Sequence, residues 1–308
     1  MELTNVGGII AVANRDTAVP LMQVGTIPII QRMVITYQQV GVFPVVVVTD
    51  VEDDDIKRQL APYGVIFLSG GETDTPELMD AVRVGLRYLQ DKCQRVVYAP
   101  VNVPMFSPMT LTELLGREGD IVVPSYEGHG GHPVVLRSQV IPELLAYQGE
   151  HGLRGAFADS GLDRTWVEVE DKGVITNVRN EEELRQQLSE HNTAILHPVL
   201  HMTLEKETAF FSQRLKLLLY LLEDTRNMRT SCTCSGIAHS KAWDMINRLE
   251  QNLGYTVVER HRGGKSGGST CLTPAGREFL AAYHKMEQEV HRFTQEQFKK
   301  LFISTKIL

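Results

Sequence analysis

The chain has 308 residues, 43% hydrophobic and 22% charged, with a net charge of −7. This is ordinary for a globular protein, and at roughly 100–200 residues per domain it leaves room for two domains. No apolar run approaches the ~20 residues that span a bilayer, no secretory leader pattern opens the chain, and four cysteines (Cys93, Cys232, Cys234, Cys271) are too few and too uneven for a disulfide framework; a cytoplasmic, reduced setting is expected.

The charge is divided unevenly. Residues 1–195 carry 15 Lys and Arg against 27 Asp and Glu, whereas residues 196–308 carry 16 against 11. An acidic part followed by a basic part points to two tasks, and only the basic part is suited to neutralising phosphates.

Along the acidic part, short apolar runs alternate with stretches of helical spacing. Gly8–Ala13, Pro44–Thr49, Val65–Leu68, Arg95–Ala99 and Ile121–Pro124 read as buried strands. Ile27–Val40, Asp53–Ala61, Pro76–Gln90 and Pro108–Gly116 read as helices between them. His132–Arg137 and Trp166–Val169 add strands, and Glu181–Leu188 a closing helix. The alternation predicts an α/β fold, Rossmann-like, with a mostly parallel sheet covered by helices on both faces. Four valines in a row, Val45–Val48, fit a central strand. This domain is expected to span 1–190, followed by a linker at 191–206 that opens polar and contains Pro198.

The basic part, 207–308, opens with a helix at Phe210–Asp224 and a short helix near Met228–Cys234. Ser240–Leu253 follows as a third helix, then a strand at Thr256–Arg260, a Gly-rich tip at His261–Ser269 and a return strand near Cys271–Thr273. A long last helix starts at Thr273-Pro274, where threonine caps and proline suits the first helical position. Helix, short helix, helix and hairpin is the winged-helix order. In the third helix Trp243, Ile246, Leu249 and Leu253 share one face, and Trp243 is read as core. Ser240, Lys241, Asp244, Asn247 and Arg248 are the expected DNA contacts of the helix, with Gln251 also off its apolar face. Arg262, Lys265 and Ser266 are the expected contacts of the glycine-rich wing. A polar helix face can also be merely solvated. Gly264-Lys265-Ser266 imitates the end of a P-loop, but Glu259 stands where that motif needs its first glycine. In the last helix Phe279, Tyr283, Met286, Val290 and Phe293 repeat at spacings 4, 3, 4, 3, an a/d seam for a homodimer, or else a face that packs on its own domain. Cys232 and Cys234 read as packing residues.

Two resemblances follow. Ser240-Lys241-Ala242-Trp243-Asp244-Met245-Ile246-Asn247, Leu253-Gly254-Tyr255, Val258-Glu259-Arg260, Gly263–Gly268 and Leu272-Thr273-Pro274-Ala275-Gly276-Arg277 resemble the DNA-binding domain of ModE-type, molybdate-responsive regulators over about Leu204–Val290. LysR-type regulators share the Leu-Thr-x-x-Gly ending. The resemblance implies a homodimer on a palindromic double-stranded operator. Over about Val6–Leu188 the chain resembles MobA/MocA-type nucleotidyltransferases of molybdenum-cofactor synthesis, most clearly along Val123–Leu136, with Gly131-His132-Pro133, and also at Leu153-Arg154-Gly155 and along Val169–Leu184.

Nucleotide transfer in that family implies a Gly-rich, Lys-bearing loop after the first strand, a Gly-Asp-x-Pro aspartate on Mg²⁺ and a second acidic residue near the domain's end. Here Ala13-Asn14-Arg15 opens a shortened loop without glycine in its turn or lysine before Leu21. Val101-Asn102-Val103-Pro104 brings an amide where a carboxylate is expected, and Asn177-Val178-Arg179-Asn180 puts an arginine where another belongs. A shifted alignment with Asp16 and Asp50 in these roles is the alternative. Ala13, Asn14, Arg15, Asn102, Gly131 and His132 are therefore expected to bind a ligand rather than to catalyse. Asp53-Asp54-Asp55 is read as a helix start, and His129 with His132 as backbone approach to a ligand rather than a metal site. No metal or cofactor is expected, with Mg²⁺ only if the domain is active. The reading is a transcriptional regulator that senses a nucleotide or pterin linked to molybdenum-cofactor metabolism. The rival is a working cytidylyl- or guanylyltransferase that also binds DNA, and a DNA-bound scaffold for another protein is a third possibility.

Overall fold

A computed structural model describes residues 4–12, 19–49, 54–70, 78–178, 181–200, 202–261 and 269–303. The chain divides into two compact units, Met1–Gln59 with Val65–Leu196, and His197–Leu308 with Leu60–Gly64.

The first unit is an α/β fold. Its strands are β1 (Thr4–Ala11), β2 (Gln23–Val24), β3 (Ile27–Pro28), β4 (Val45–Thr49), β5 (Ile66–Ser69), β6 (Cys93–Pro100), β7 (Ile121–Tyr126), β8 (His129–Gly130), β9 (Val134–Arg137) and β10 (Arg164–Glu168). Its helices are α1 (Ile29–Gln39), α2 (Asp54–Leu60), α3 (Leu78–Leu89), α4 (Pro108–Leu115), α5 (Ile141–Ala146), α6 (Gly152–Asp159) and α7 (Glu181–Ala194). The main sheet runs β10-β7-β9-β6-β1-β4-β5, parallel except for β9, which is antiparallel to both β6 and β7. β8 pairs with β7, and β2–β3 form a separate hairpin.

Alternation along β1 covers both faces of the sheet. A Cβ on Gly8 would meet Tyr37 of α1 at 2.7 Å, while Ile9, pointing the other way, lies against Gly85 of α3. Two glycines thus admit two helices, one on each face. Val45–Val48 are fully buried, as a central strand requires; each such side chain contributes roughly 1.5–3 kcal/mol by leaving water.

Several boundaries differ from expectation. Pro28 ends a strand and caps α1, so the helix starts at Ile29 rather than Ile27. The helices α5 and α6 and the β2–β3 hairpin have no counterpart among the expected elements. Residues 191–194, expected to start a linker, are the last turn of α7. His191 is buried there: Arg32 meets its Nδ1 at 3.1 Å and its Nε2 lies 3.2 Å from the Phe106 carbonyl. Arg32 also donates to Asn192 Oδ1 and to the Val24 carbonyl. His191, which reads as solvated, is instead satisfied inside the fold.

The second unit contains β11 (Leu204–Glu205), β12 (Ala209–Phe211), α8 (Gln213–Thr225), α9 (Met228–Ser235), α10 (His239–Leu253), β13 (Val258–His261), β14 (Ser269–Leu272) and α11 (Pro274–Phe298), with a π-helical turn at Lys299–Ile303. β11 pairs with β12 and β13 with β14, both antiparallel. Phe210 and Phe211 belong to β12 rather than to the helix expected from Phe210. Phe211 packs edge-on against Phe279 and Tyr283, at 4.9 and 4.6 Å between ring centres. Asn227 caps α9 through the Thr230 N–H, and Thr273 caps α11 through the Gly276 N–H. A Cβ on Gly276 would lie 2.4 Å from the Val257 carbonyl. That close approach gives the Leu-Thr-x-x-Gly ending a physical reason.

Candidate functional site

In the first unit the chain runs β1, β4, β5 outward, then returns to β6 on the other side of β1. The carboxyl ends of β1 and β6 therefore flank the point where strand order reverses, the place where open α/β sheets bind ligands. Val101 N–H donates to the Ala11 carbonyl at 3.0 Å, and Val178 N–H donates to the Asn102 carbonyl at 2.9 Å. The end of β1, Asn102 and the 177–178 segment are thus brought to one edge. Asn102 is one of the places where the sequence departs from the nucleotide-transfer pattern, and the end of β1 and the 177–178 segment precede the other two in sequence.

Asn102 Oδ1 is buried there without a hydrogen-bond partner among the described residues. An orphaned acceptor suits a donor, but a neutral oxygen lacks the charge that a Mg²⁺–triphosphate site draws from carboxylates. Asn102 does not fit that metal. Ala13, Asn14, Arg15 and Arg179 lie outside the described residues, as do Asp16 and Asp50.

A cavity of about 720 Å³ opens among α3, α6 and strands β6, β7, β8 and β9. Gly131 and His132 line it, while Asn102 does not. Gly131 N–H donates to the Pro124 carbonyl and His132 N–H to the Val174 carbonyl, both at 2.8 Å. A Cβ on Gly131 would sit 2.4 Å from that Val174 oxygen, so only glycine fits. The His132 ring stands edge-on to Tyr98, 5.4 Å between centres. Part of His132 reaches solvent, but its Nδ1 is sealed off without a partner among the described residues. Burial pushes its pKa from 6.5 down to about 4, so the imidazole is neutral at physiological pH. Tyr98, Phe157 and the half-exposed Trp166 give the cavity aromatic walls, and Arg154 and Arg164 give it cations. Apolar walls with a few cations suit a flat heterocycle bearing a phosphate. Of these residues only Arg154 stands out in the sequence. Trp166 and Arg164 belong to β10, which sequence periodicity places in the sheet but not beside the Gly-His-Pro segment.

Asp54 and Asp55 open α2, with Asp55 ion-paired to Arg58, consistent with a helix start. His129 is exposed, its Nδ1 3.0 Å from the Glu127 carbonyl. Cys232 and Cys234 are buried and carry no disulfide.

In the second unit Ala242, Ile246 and Leu249 of α10 are buried, and Ser240, Lys241, Asp244, Asn247, Arg248 and Gln251 are exposed. Ser240, Asp244, Asn247 and Gln251 recur at helical spacing on one polar stripe. Arg248 stands at its flank and donates to the Ala209 carbonyl at 3.4 Å. Trp243 packs against the core, and the Arg260 guanidinium lies over its ring at 3.4 Å. Arg260, which sequence reasoning did not select, is thereby held beside the stripe. Glu250 ties helix to hairpin, its Oε1 accepting from Val257 and Val258 N–H at 2.7 and 2.9 Å. Arg262, Lys265 and Ser266 lie outside the described residues.

The five-residue seam of α11 is split. Tyr283 is buried in the unit's own core, its hydroxyl donating to the Met202 carbonyl at 2.7 Å, and Phe279 packs against the same core. Phe211 of β12 takes up both rings, which corrects the expectation that they face a partner. Met286, Val290 and Phe293 are exposed, Phe293 by 62%.

The family of MobA-like NTP transferase domains matches residues 19–165. The first unit has a MobA-like nucleotidyltransferase fold. A nucleotidyl transferase from Methanothermobacter thermautotroptrophicus superposes with a TM-score of 0.51 at 16% identity, over 60% of this chain and 98% of that one. 4-Diphosphocytidyl-2C-methyl-D-erythritol synthase from Anaerococcus prevotii gives 0.50 at 15% identity, over 61% and 96%. Identity this low carries the fold alone. In sequence, the chain is 30% identical over 100 residues to the molybdenum-pterin-binding protein MopB of Rhodobacter capsulatus, covering 32% of this chain and 37% of that protein. It is 39% identical over 54 residues to the DNA-binding transcriptional dual regulator ModE of Escherichia coli, covering 18% and 21%. Homology to ModE-type regulators is therefore partial, and the chain spans well under half the length of these relatives. Among the described residues no helix is long and apolar enough to cross a membrane.

Proposed function

We propose that this protein is a DNA-binding transcriptional regulator in which the second unit is a winged helix and the first binds a small ligand without nucleotide transfer. The observation that carries the reading is the polar stripe of α10. Ser240, Asp244, Asn247 and Gln251 stand free of the core, with Arg260 pinned beside them on Trp243. Amides and cations so presented suit adenine edges, guanine edges and phosphates. Arg262, Lys265 and Ser266 extend the contact through the Gly-rich tip. The partial homology to ModE supports this reading. Met286, Val290 and Phe293, left exposed at spacings of four and three, are the proposed dimer face.

For the first unit, the ligand is a pterin or nucleotide related to the molybdenum cofactor. The aromatic, cation-bearing cavity around His132 supports it, as does the MobA-like fold. The neutral Asn102 at the strand-order reversal argues against metal-assisted transfer. Ligand binding changes DNA affinity only by favouring one conformation over another.

Selection of duplexes from a randomised pool by the full chain, followed by fluorescence anisotropy, tests the DNA reading. A two-fold-symmetric preferred sequence is expected, and no preference at any salt concentration overturns the proposal. Asn247→Ala is expected to relax preference at one position by ~1–3 kcal/mol, and Lys265→Ala to weaken all sequences alike and lower the salt slope by about 1. Incubation with Mg²⁺, CTP or GTP and molybdopterin tests the first unit. Pyrophosphate release at ordinary enzymatic rates would make the protein a bifunctional transferase instead.

A further inference from the structure

The hairpin of the second unit places three chemically distinct ligating groups on one face. Glu259 and His261 are two apart on β13 and so point the same way, and Cys271 is the residue directly across from Glu259 on β14. The Cys271 Sγ lies 3.6 Å from Glu259 Oε1, the His261 Nε2 lies 3.5 Å from the same oxygen, and all three atoms fall within 4.8 Å of one another. In a tetrahedral site with metal–sulfur bonds of about 2.3 Å and metal–nitrogen or metal–oxygen bonds of about 2.0 Å, neighbouring ligand atoms stand about 3.3–3.5 Å apart. Two of the three separations, both to Glu259 Oε1, therefore match the edges of a coordination tetrahedron.

We propose that Glu259, His261 and Cys271 form a binding site for a thiophilic divalent transition-metal ion of the zinc class. A thiolate, an imidazole and a carboxylate together select such an ion over Mg²⁺ or Ca²⁺, which take oxygen ligands alone. The charges match: the thiol releases its proton to solvent on binding, and thiolate plus carboxylate offset the two positive charges. The thiol is buried while the imidazole and carboxylate reach solvent, which leaves a fourth position for water. Of the cations near Cys271, Arg277 is engaged by Glu223 at 2.7 Å. Binding cross-links β13 to β14 at their open ends, where the sequence continues into the Gly-rich segment 262–268. Arg260, between two ligands, points to the opposite face of the hairpin and onto Trp243.

Co²⁺ is the probe. The purified full chain, stripped with a chelator under reducing conditions, is titrated while near-ultraviolet and visible absorption are recorded. One equivalent per chain is expected to produce a thiolate-to-cobalt charge-transfer band and tetrahedral visible bands, both erased by Zn²⁺. Cys271→Ser is expected to remove the charge-transfer band. His261→Ala, at an exposed position, is expected to weaken Co²⁺ affinity on the order of tenfold or more, since even outer-shell losses cost that much. Cys93→Ala, in the first unit, is expected to leave the spectrum unchanged. The assignment is overturned by an absent charge-transfer band at one equivalent, by a band that survives Cys271→Ser, or by affinity unaltered in His261→Ala. None of these readouts depends on DNA binding.

Discussion

Acidification should destabilise the first unit through His191. Its imidazole is sealed between Arg32 and the Phe106 carbonyl. Burial, and then the charge of Arg32, depress its pKa from 6.5 to about 4. The sign follows from which state binds the proton more readily. Above pH 6.5 neither state carries it, and the full stability is present. Between pH 6.5 and about 4 the unfolded chain takes up the proton while the folded one refuses it, so stability falls as pH falls. The fall from 6.5 to about 4 corresponds to ~3 kcal/mol lost across that window. His132, depressed for the same reason but partly open to solvent, adds a smaller loss over the same range. The assay is urea unfolding at several pH values between 7.5 and 4.5. The chain has two tryptophans, so a Trp243→Phe background leaves Trp166 to report on the first unit alone. His191→Gln keeps an uncharged hydrogen-bonding side chain and is expected to flatten the pH dependence, leaving the His132 share. An undiminished pH slope in His191→Gln would refute the reasoning.

Three further outcomes are expected. Gly131→Ala drives a methyl group into the Val174 carbonyl and should cost ~1–3 kcal/mol by urea unfolding; a neutral result means that the 131–133 backbone is free to shift. Tyr283→Phe keeps the ring against Phe211 but orphans the Met202 carbonyl, and should lower stability by ~1 kcal/mol. Phe293→Asp is expected to turn a dimer into a monomer in sedimentation while leaving the second unit folded, since that ring is 62% exposed; an unchanged sedimentation coefficient removes α11 from the interface.

Much of the fold was open to reading in the sequence because its signals are local. The Val45–Val48 run and Thr273-Pro274 mark a buried strand and a helix start through nearest neighbours alone. The polar stripe of α10 follows from 3.6-residue periodicity. Other features escaped because they depend on what lies across space. Phe210-Phe211 continues an apolar helical pattern in sequence, yet pairing with β11 and the rings of α11 makes it a strand. His191 reads as linker because it is polar, yet it is buried, satisfied by Arg32, 159 residues away, and by the Phe106 carbonyl.

The candidate site divides in the same way. Composition distinguishes an acidic half from a basic one, and the resemblance to MobA/MocA-type nucleotidyltransferases marks Asn102 and Gly131-His132-Pro133. Strand order decides that Asn102 meets the ends of β1 and the 177–178 segment, because a hydrogen bond between distant strands leaves no periodicity to read. Cavity walls are assembled likewise, from β10, α3 and α6. For the seam of α11, the sequence determined that an apolar stripe exists. Only packing against Phe211 decided that Phe279 and Tyr283 turn inward and that Met286, Val290 and Phe293 stay exposed, since one helix face has the same spacing whichever surface covers it.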